Sequence, residues 1–281
     1  MKAIVRSGKM KALVLSGGAF RGAMHIGALK ALEESGYKPD LIVGTSMGAI
    51  VGGAYAYGYT PDEIQDLLNE TNYFKMIDPD IKGFLSAILP FYRHKFDGVL
   101  KGDKILQRLH DVFHNRKEEI PFYAMATDIV SGESVKLRAG KPAEEIRASM
   151  SLPGILKTME LGSRSFVDGG INNNFAINVA IEEGADSVVA VNAVDSKFDW
   201  DKPPRNVFET LERFIAIRGE EVSARQKAHA RNELKDKFTL IEPDLKPGDG
   251  TDPSLIDTYI EQGYTKAVTE IGRKVKQGGR I

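Results

Sequence analysis

Apolar runs and amphipathic runs alternate along the first two thirds of the chain. Short apolar runs that end in glycine or polar residues predict buried strands, whereas apolar residues spaced three or four apart predict helices. The predicted strands are Lys11–Leu15, Leu41–Val43, Phe122–Thr127, Ser134–Arg138, Ser165–Val167, Ser187–Ala193 and Phe238–Ile241. The predicted helices are Gly22–Glu34, Met47–Tyr57, Pro61–Asn69, Lys104–His114, Glu144–Met150, Val179–Glu183, Val207–Lys235 and Ser254–Lys276. This alternation predicts an α/β fold with three layers, α/β/α, around a mainly parallel central sheet.

Residues 72–100 follow neither period clearly. Within them, the segment 84–92 is apolar and is followed by three basic residues. One interpretation is a segment that covers the core. The other is a mobile flap at 84–95 that contacts a lipid surface, with its basic residues facing the head groups.

The length of 281 residues favours one large domain over two. Residues 1–9 precede a second Met-Lys-Ala sequence and are expected to be an N-terminal extension or a vector remnant. Residues 10–281 are expected to form a single domain, whose motif-bearing core covers about 11–195. A helical C-terminal part is predicted after a proline-rich break, at about 205–281.

Composition and charge exclude several classes of function. The net charge is −1 at pH 7, and basic residues are spread along the chain, so no nucleic-acid-binding patch is predicted. The absence of cysteine excludes disulfides, thiol catalysis and thiolate metal ligands. The sequence shows neither a secretory signal nor the roughly 18–20 consecutive apolar residues of a membrane-spanning helix. We therefore expect a cytoplasmic protein, which could still lie at the membrane surface.

The sequence Gly-Thr-Ser-Met-Gly runs from Gly44 to Gly48 and follows the apolar run Leu41–Val43. A strand, a sharp turn and a helix in this order are typical of a nucleophile elbow. Side chains at the two glycine positions would collide with the flanking strand or helix. The turn would set the Ser46 hydroxyl at the positive end of the helix that starts at Met47. Ser46 is therefore the predicted nucleophile, and a purely structural turn is the alternative.

The sequence Ser-Gly-Gly-Ala-Phe-Arg-Gly, from Ser16 to Gly22, also lies between a predicted strand and a predicted helix. A dinucleotide-binding loop would need glycine at Ala19, and a Walker loop would end in Gly-Lys-Ser or Gly-Lys-Thr. An oxyanion loop needs only backbone N–H groups near the nucleophile. We favour the oxyanion loop because the two strands that precede these loops are expected to be neighbours. The predicted donors are the backbone N–H groups of Gly17, Gly18, Ala19 and Met47.

A third feature is the sequence Asp168-Gly169-Gly170, which follows a predicted strand. An aspartate at a strand end, next to two glycines, is sterically free to approach another loop. The same tripeptide is also an ordinary turn, and the residues alone leave both interpretations open.

Taken in chain order, these motifs resemble those of the bacterial patatin-like phospholipases. The matching segments are 15–22 with 25–29, 44–48, 126–128, 147–153, and 167–170 with 172–174. They span about residues 11–195 and keep the order of the family. Five ordered segments are far more specific than any one of them.

The resemblance implies a patatin-like fold and the hydrolysis of acyl esters of lipids, of phospholipase A or lysophospholipase type, without metal or cofactor. It implies a Ser–Asp dyad without a catalytic histidine, in which Ser46 attacks and Asp168 is the base. It assigns the oxyanion hole to the glycine loop and puts Arg21 where the family carries a basic residue. The implied partner is a lipid or another acyl ester, and the oligomeric state is not predicted.

The chain departs from the family pattern at two positions, Ala19 and Ala176. Ala19 stands where the family usually has a third consecutive glycine, which costs roughly 1 kcal/mol or more if the position needs positive φ. Phe20 adds bulk beside the substrate, and a proline that the family often has near Ala176 is missing. These departures predict weak activity or an altered substrate choice. They also leave open a non-catalytic member of the fold that binds lipid or protein.

A Ser-Asp-His triad of α/β-hydrolase type is a second hypothesis, because Ser46, Asp168 and His229 occur in that order. Against it, His229 is predicted on the polar face of a helix, whereas catalytic histidines of that fold usually lie in loops. His110 and His114 are spaced like metal ligands, but no third ligand is apparent, so no metal site is predicted.

Several polar residues near the motifs are interpreted as structural. Asp128, Ser149 and Ser151 are expected to order loops through side-chain hydrogen bonds. Residues 172–174 are expected to hold the turn after the aspartate, and His25 is expected to be a packed or capping residue.

Overall fold

The computed structural model describes residues 9–88, 97–194, 203–204, 207–243, 250, 252–279 and 281. The strands are β1 (Lys11–Leu15), β2 (Leu41–Thr45), β3 (Gly98–Leu100), β4 (Phe122–Asp128), β5 (Ser134–Leu137), β6 (Gly154–Leu156), β7 (Met159–Leu161), β8 (Arg164–Asp168), β9 (Ser187–Val191) and β10 (Phe238–Ile241). The α-helices are α1 (Met24–Glu34), α2 (Met47–Ala56), α3 (Pro61–Asn69), α4 (Tyr73–Met76), α5 (Ile81–Ile88), α6 (Asp103–Phe113), α7 (Pro142–Ser149), α8 (Gly170–Asn173), α9 (Ile177–Glu182), α10 (Val207–Leu234) and α11 (Ile256–Lys276). A 3-10 turn at Ala19–Ala23 leads from the glycine loop into α1.

The central sheet has the strand order β10-β9-β1-β2-β4-β8-β7, and β5 pairs with β4 outside this path. Neighbouring strands from β10 to β4 are parallel, whereas β8 is antiparallel to both β4 and β7. Helices cover both faces, so the predicted three-layer fold with a mainly parallel sheet is confirmed. The expected pairing of the strands that carry the glycine loop and the serine turn is also confirmed, since β1 pairs directly with β2.

Successive side chains of β1 enter two separate cores, because side chains alternate between the faces of a sheet. Leu13 and Leu15 pack on one face with side chains of α1, α2, α3, α6 and α11. Ala12 and Val14 pack on the other face with side chains of α9 and α10. The sheet is therefore fixed from both sides beneath the loops at its carboxyl edge.

The C-terminal helix α11 packs directly on α1. A Cβ atom on Gly27 would lie 1.8 Å from the Ile260 carbonyl oxygen, and one on Gly263 would lie 2.0 Å from the Met24 carbonyl oxygen. Glycine on both helices therefore lets the two backbones touch. This contact attaches the end of the chain to the motif-bearing part.

The region in which neither period is clear contains α4, α5 and β3. Strand β3 pairs with β6 in a second, two-stranded sheet. Strands β3, β6 and β7 have three residues each, which is too short for an apolar period to be recognised in the sequence.

The predicted lipid-contact segment at 84–95 is only partly described, because residues 89–95 lie outside the described residues. At its start, Phe84 and Leu85 lie exposed on α5. Within the described ranges, no helix is both long enough and apolar enough to cross a bilayer.

Candidate active site

Ser46 lies between β2 and α2, one residue before the helix begins. Its φ of 53° and ψ of −118° form a combination that L residues rarely adopt. A Cβ atom on Gly44 would lie 2.4 Å from the Gly48 carbonyl oxygen, and one on Gly48 would lie 2.3 Å from the Leu15 carbonyl oxygen. Only glycine fits at these two positions, which is how the strand and the helix come close enough for the sharp turn.

Ser149, at the end of α7, supports this backbone. The Ser46 N–H donates to Ser149 Oγ at 2.9 Å, and Ser149 is fully buried. The carbonyls of Ser149 and Ser151 accept hydrogen bonds from the N–H groups of Gly169 and Asp168, at 3.4 and 2.9 Å. The end of α7 therefore ties the serine turn to the aspartate turn. Such contacts hold a backbone conformation that costs about 1–3 kcal/mol by itself.

Asp168 is the last residue of β8, and β4 lies between β8 and β2. Thr45 pairs with Met125 on β4, and Asp168 pairs with Ala126, the next residue. A Cβ atom on Gly169 would lie 2.3 Å from the Met125 carbonyl oxygen, so the aspartate turn passes directly over β4. The register therefore brings Asp168 to the level of the serine turn.

The carboxyl group of Asp168 is buried, and burial raises its pKa from 3.8 to about 6 because the charged form loses its hydration. Two hydrogen bonds act in the opposite direction and lower the pKa. One comes from the Gly170 N–H, which donates to Oδ1 at 2.7 Å, and the other comes from the Ser46 side chain. The carboxylate is consequently a stronger base than that of an exposed aspartate, and it faces the serine hydroxyl.

The glycine loop lies against Ser46. A Cβ atom on Gly17 would lie 3.2 Å from Ser46 Cβ and 2.4 Å from Asn174 Oδ1. The Gly17 N–H donates to the Asn174 carbonyl at 3.2 Å, and Asn174 Nδ2 donates back to the Gly17 carbonyl at 3.5 Å. The loop is thus held close to Ser46, but the N–H of Gly17 already has an acceptor.

The N–H groups further along the loop differ in whether they have an acceptor among the described residues. The Phe20 N–H donates to the Gly250 carbonyl at 2.9 Å. The N–H groups of Gly18 and Ala19 donate to no acceptor among the described residues. Met47 occupies the first helical position of α2, where no partner exists inside the helix. Gly18, Ala19 and Met47 therefore offer three N–H groups near the serine.

Ala19 has a φ of 47°, in the left-handed region that favours glycine. Position 19 therefore has the positive φ on which the expected cost of alanine in place of glycine depends. A residue with a Cβ atom in this region carries a cost of roughly 1–2 kcal/mol.

The remaining motif residues lie around the same turn. Arg21 is 9% exposed, and its Nε has no hydrogen-bond partner among the described residues. A Cβ atom on Gly22 would lie 2.5 Å from Met47 Cγ, and one on Gly170 would lie 3.1 Å from Asp168 Oδ1. A side chain at position 22 would therefore collide with Met47, and one at position 170 would crowd the Asp168 carboxyl.

A pocket of about 380 Å³, here called the catalytic pocket, opens over these groups. Its lining includes Gly17, Gly18, Ala19, Phe20, Arg21, Ser46, Met47, Asp168, Gly170 and Asn174. Apolar side chains from α2, from the segment after α7 and from α10 complete its wall. The pocket therefore joins the Ser46 hydroxyl, the Asp168 carboxyl and backbone N–H groups to a mostly apolar surface.

Of the four histidines that the structure describes, none lines the catalytic pocket. His229 is exposed on α10 and is not among the described residues that line the catalytic pocket. His25 is fully buried, its Nε2 lies 2.8 Å from the Ser16 carbonyl oxygen, and burial lowers its pKa to about 4. His110 and His114 are exposed on and after α6, and no group of three potential metal ligands occurs in the described part of the chain.

The residues interpreted as structural do make loop-ordering contacts. The Asp128 carboxylate accepts from the N–H groups of Val130 and Ser131 and pairs with Arg164 at 2.5 Å. The Ser151 hydroxyl donates to the Arg147 carbonyl at 2.7 Å.

Two contacts of the site have no counterpart in the sequence pattern: that of Ser149 with Ser46 and that of Asn174 with the glycine loop. A serine at the end of a helix gives no local signal that its hydroxyl accepts a hydrogen bond from a distant N–H. Asn174 belongs to a polar turn, which indicates a local role and not a contact with a loop 157 positions away.

Comparison with known proteins places the chain in a family. A family model for patatin-like phospholipases matches residues 13–181. An uncharacterized NTE family protein of Mycobacterium tuberculosis is 33% identical over 212 residues, which cover 73% of this chain and 55% of that protein. A lysophospholipase NTE1 of Cryptococcus neoformans is 34% identical over 188 residues, covering 66% of this chain and 11% of that protein. The matched segments thus span about half the length of the first relative and about a tenth of the length of the second.

The fold is similar to that of VipD from Legionella pneumophila, with a TM-score of 0.56 at 14% identity. That alignment covers 95% of this chain and 67% of the VipD chain. At this identity the likeness concerns the fold alone. The family match extends over more than half of the chain and includes both the serine turn and the aspartate turn. The chain therefore belongs to the patatin-like phospholipase family.

Proposed function

We propose that this protein hydrolyses carboxylic esters of lipids through a covalent acyl-enzyme, with Ser46 as the nucleophile and Asp168 as its base. The observation that carries the proposal is the buried Asp168 carboxyl facing the Ser46 hydroxyl, with its pKa raised to about 6. A base with this pKa is ionised at neutral pH and accepts a proton far more readily than an ordinary aspartate.

In the first half of the reaction, Ser46 Oγ bonds to the ester carbonyl carbon while its proton passes to Asp168. The carbonyl oxygen becomes an oxyanion, which the N–H groups of Gly18, Ala19 and Met47 stabilise. Loss of one such donor typically costs about 100- to 1,000-fold in rate. The tetrahedral intermediate then collapses, and Asp168 returns the proton to the departing alcohol.

In the second half, water attacks the acyl-enzyme and Asp168 accepts a proton from it. Collapse of the second intermediate releases the fatty acid, and the proton returns to Ser46 Oγ. The cycle uses only groups of the catalytic pocket and water. In this assignment Gly17 provides space beside the nucleophile, since its N–H already donates to the Asn174 carbonyl.

The substrate class that we propose is a phospholipid or lysophospholipid. The family assignment and the relative named a lysophospholipase support it, as does the mostly apolar wall of the catalytic pocket. We place the protein at a lipid surface, in the cytoplasm. Exposed apolar side chains on and beside α4 and α5 support this contact; they are Phe74, Ile77, Ile81, Phe84 and Leu85.

The triad alternative requires His229 at the catalytic pocket, and its exposed position on α10 argues against this. The binder alternative rests on Ala19 and Phe20, and the retained Ser46 and Asp168 argue against it. Esterase assays with p-nitrophenyl butyrate distinguish the three hypotheses.

For a dyad, Ser46→Ala and Asp168→Asn should each lose at least about 100-fold in kcat/KM, while His229→Ala keeps wild-type activity. Circular dichroism checks that each variant is folded. A fluorophosphonate probe should label the wild-type protein and leave Ser46→Ala unlabelled. Substantial activity in Asp168→Asn would refute the dyad, loss in His229→Ala would support the triad, and an unlabelled, inactive wild type would support the binder.

A further inference from the structure

A second cavity, here called the side cavity, lies beside the catalytic pocket and has a volume of about 320 Å³. Its wall comes from α2, α3, α4 and α6 and is almost entirely apolar. Four residues line both spaces: Phe20, Met47, Ile50 and Met150. The two spaces therefore share a wall directly next to the nucleophile.

The side cavity runs along one face of α2. Met47, Ile50 and Ala54 lie on the same side of the helix, because their spacings are three and four residues, and all three line the cavity. At 1.5 Å per residue, Ala54 lies about 12 Å along the helix axis from Ser46. The side cavity therefore starts at Met47, the residue after Ser46, and extends along α2 away from the serine turn.

An aromatic pair lies where the two spaces adjoin, since Phe20 lines both of them and Tyr73 lines the side cavity. The Phe20 and Tyr73 rings meet edge to face, with centroids 4.9 Å apart and an angle of 82° between their planes. The Tyr73 hydroxyl donates to the Leu68 carbonyl at 2.9 Å, and the Phe20 N–H donates to the Gly250 carbonyl at 2.9 Å. The Tyr73 ring is thus fixed through its hydroxyl and the Phe20 backbone through its N–H, and both side chains line the side cavity.

We infer that the side cavity binds the acyl chain of the substrate and makes the protein selective for esters of medium and long fatty acids. This inference rests on the proposed function, since the ester must be bound at Ser46. Apolar walls recognise hydrocarbon, and a volume near the lower end of the range for ligand pockets suits a single chain.

The length of the cavity sets the expected selectivity. Because the bonds of an extended chain are staggered, each C–C bond of about 1.5 Å advances the chain by about 1.3 Å, so about nine or ten bonds are needed to extend 12 Å from the nucleophile. A butyryl group leaves most of the side cavity empty, whereas a lauroyl group reaches the Ala54 level. Each methylene buried there should favour binding about fourfold, until the cavity is filled.

The test uses p-nitrophenyl butyrate and p-nitrophenyl laurate with variants that fill the cavity from two different helices. Leu67 on α3 and Val112 on α6 line the side cavity but not the catalytic pocket, and both are only partly buried. Leu67→Trp and Val112→Trp should each lower the ratio of laurate to butyrate kcat/KM by at least about tenfold. Val275→Trp, on the exposed face of α11, is the matched control and should keep the wild-type ratio.

A binding measurement separates this inference from the proposed function. Calorimetry with lauric acid and the Ser46→Ala variant should detect binding, and addition of Leu67→Trp should weaken it at least about tenfold. Unchanged ratios together with unchanged laurate binding would overturn the side-cavity inference while leaving ester hydrolysis intact. Laurate binding that responds to Leu67→Trp in a protein without esterase activity would instead refute the proposed function and retain the binding site.

Discussion

The burial of Asp168 predicts that this carboxyl, the proposed catalytic base, lowers the stability of the folded protein at neutral pH. Its pKa rises from 3.8 to about 6 on folding, because the ionised carboxyl is less well solvated in the folded state. A pKa difference of one between the two states corresponds to about 1.36 kcal/mol, so the ionised group costs about 3 kcal/mol at pH 8.

The sign follows from proton uptake. Below about pH 6 the folded state takes up a proton that the unfolded state still lacks, so stability rises as the pH falls towards 4. At pH 4 the cost has shrunk to about 0.5 kcal/mol, because the folded state is then protonated and the unfolded state is partly protonated. An asparagine in place of Asp168 is neutral at every pH, and its side chain still offers an oxygen to the Gly170 N–H.

Asp168→Asn should therefore be more stable than the wild type by up to about 3 kcal/mol at pH 8, and by about 0.5 kcal/mol at pH 4. Urea unfolding of both proteins at the two pH values measures this difference, because other titrating groups cancel in the comparison. Asp66→Asn, on the exposed face of α3, serves as the control and should show no comparable gain. A gain of equal size at both pH values, or a loss at pH 8, would contradict the assignment of Asp168 as a buried carboxylate paired with a hydroxyl.

Three further predictions concern the same site. The pH profile of kcat/KM should fall about tenfold per pH unit below about pH 6, because the reaction needs the ionised Asp168; an acid limb near pH 4 would contradict this. Ser149→Ala leaves the Ser46 N–H without its acceptor, so urea unfolding should show a loss of about 1–3 kcal/mol and steady-state assays a lower kcat at similar KM. Ala19→Gly should raise the free energy of unfolding by up to about 1 kcal/mol, because relief of the positive φ exceeds the added freedom of the unfolded chain. A decrease in stability would show that the Ala19 backbone carries no strain.

The sequence by itself determined the fold class and the glycines around Ser46. Alternating apolar and amphipathic runs encode a layered α/β sheet, since each run must bury its apolar side. The Gly-x-Ser-x-Gly sequence predicts a tight turn, because side chains at its two glycine positions would collide with the flanking strand or helix. The close backbone approaches at Gly44 and Gly48 agree with this prediction. These features are local, so they can be read along the chain.

Only the tertiary structure decided how the distant residues of the site meet. Strand register is not written in any local pattern, so the antiparallel pairing of β8 with β4, which brings Asp168 beside Ser46, could not be predicted from the chain alone. The same holds for the hydrogen bond from Ser46 to Ser149 and for the N–H of Gly17 that donates to the Asn174 carbonyl. Burial, which raises the pKa of Asp168, is likewise a property of the assembled layers, because desolvation depends on every element that covers the group.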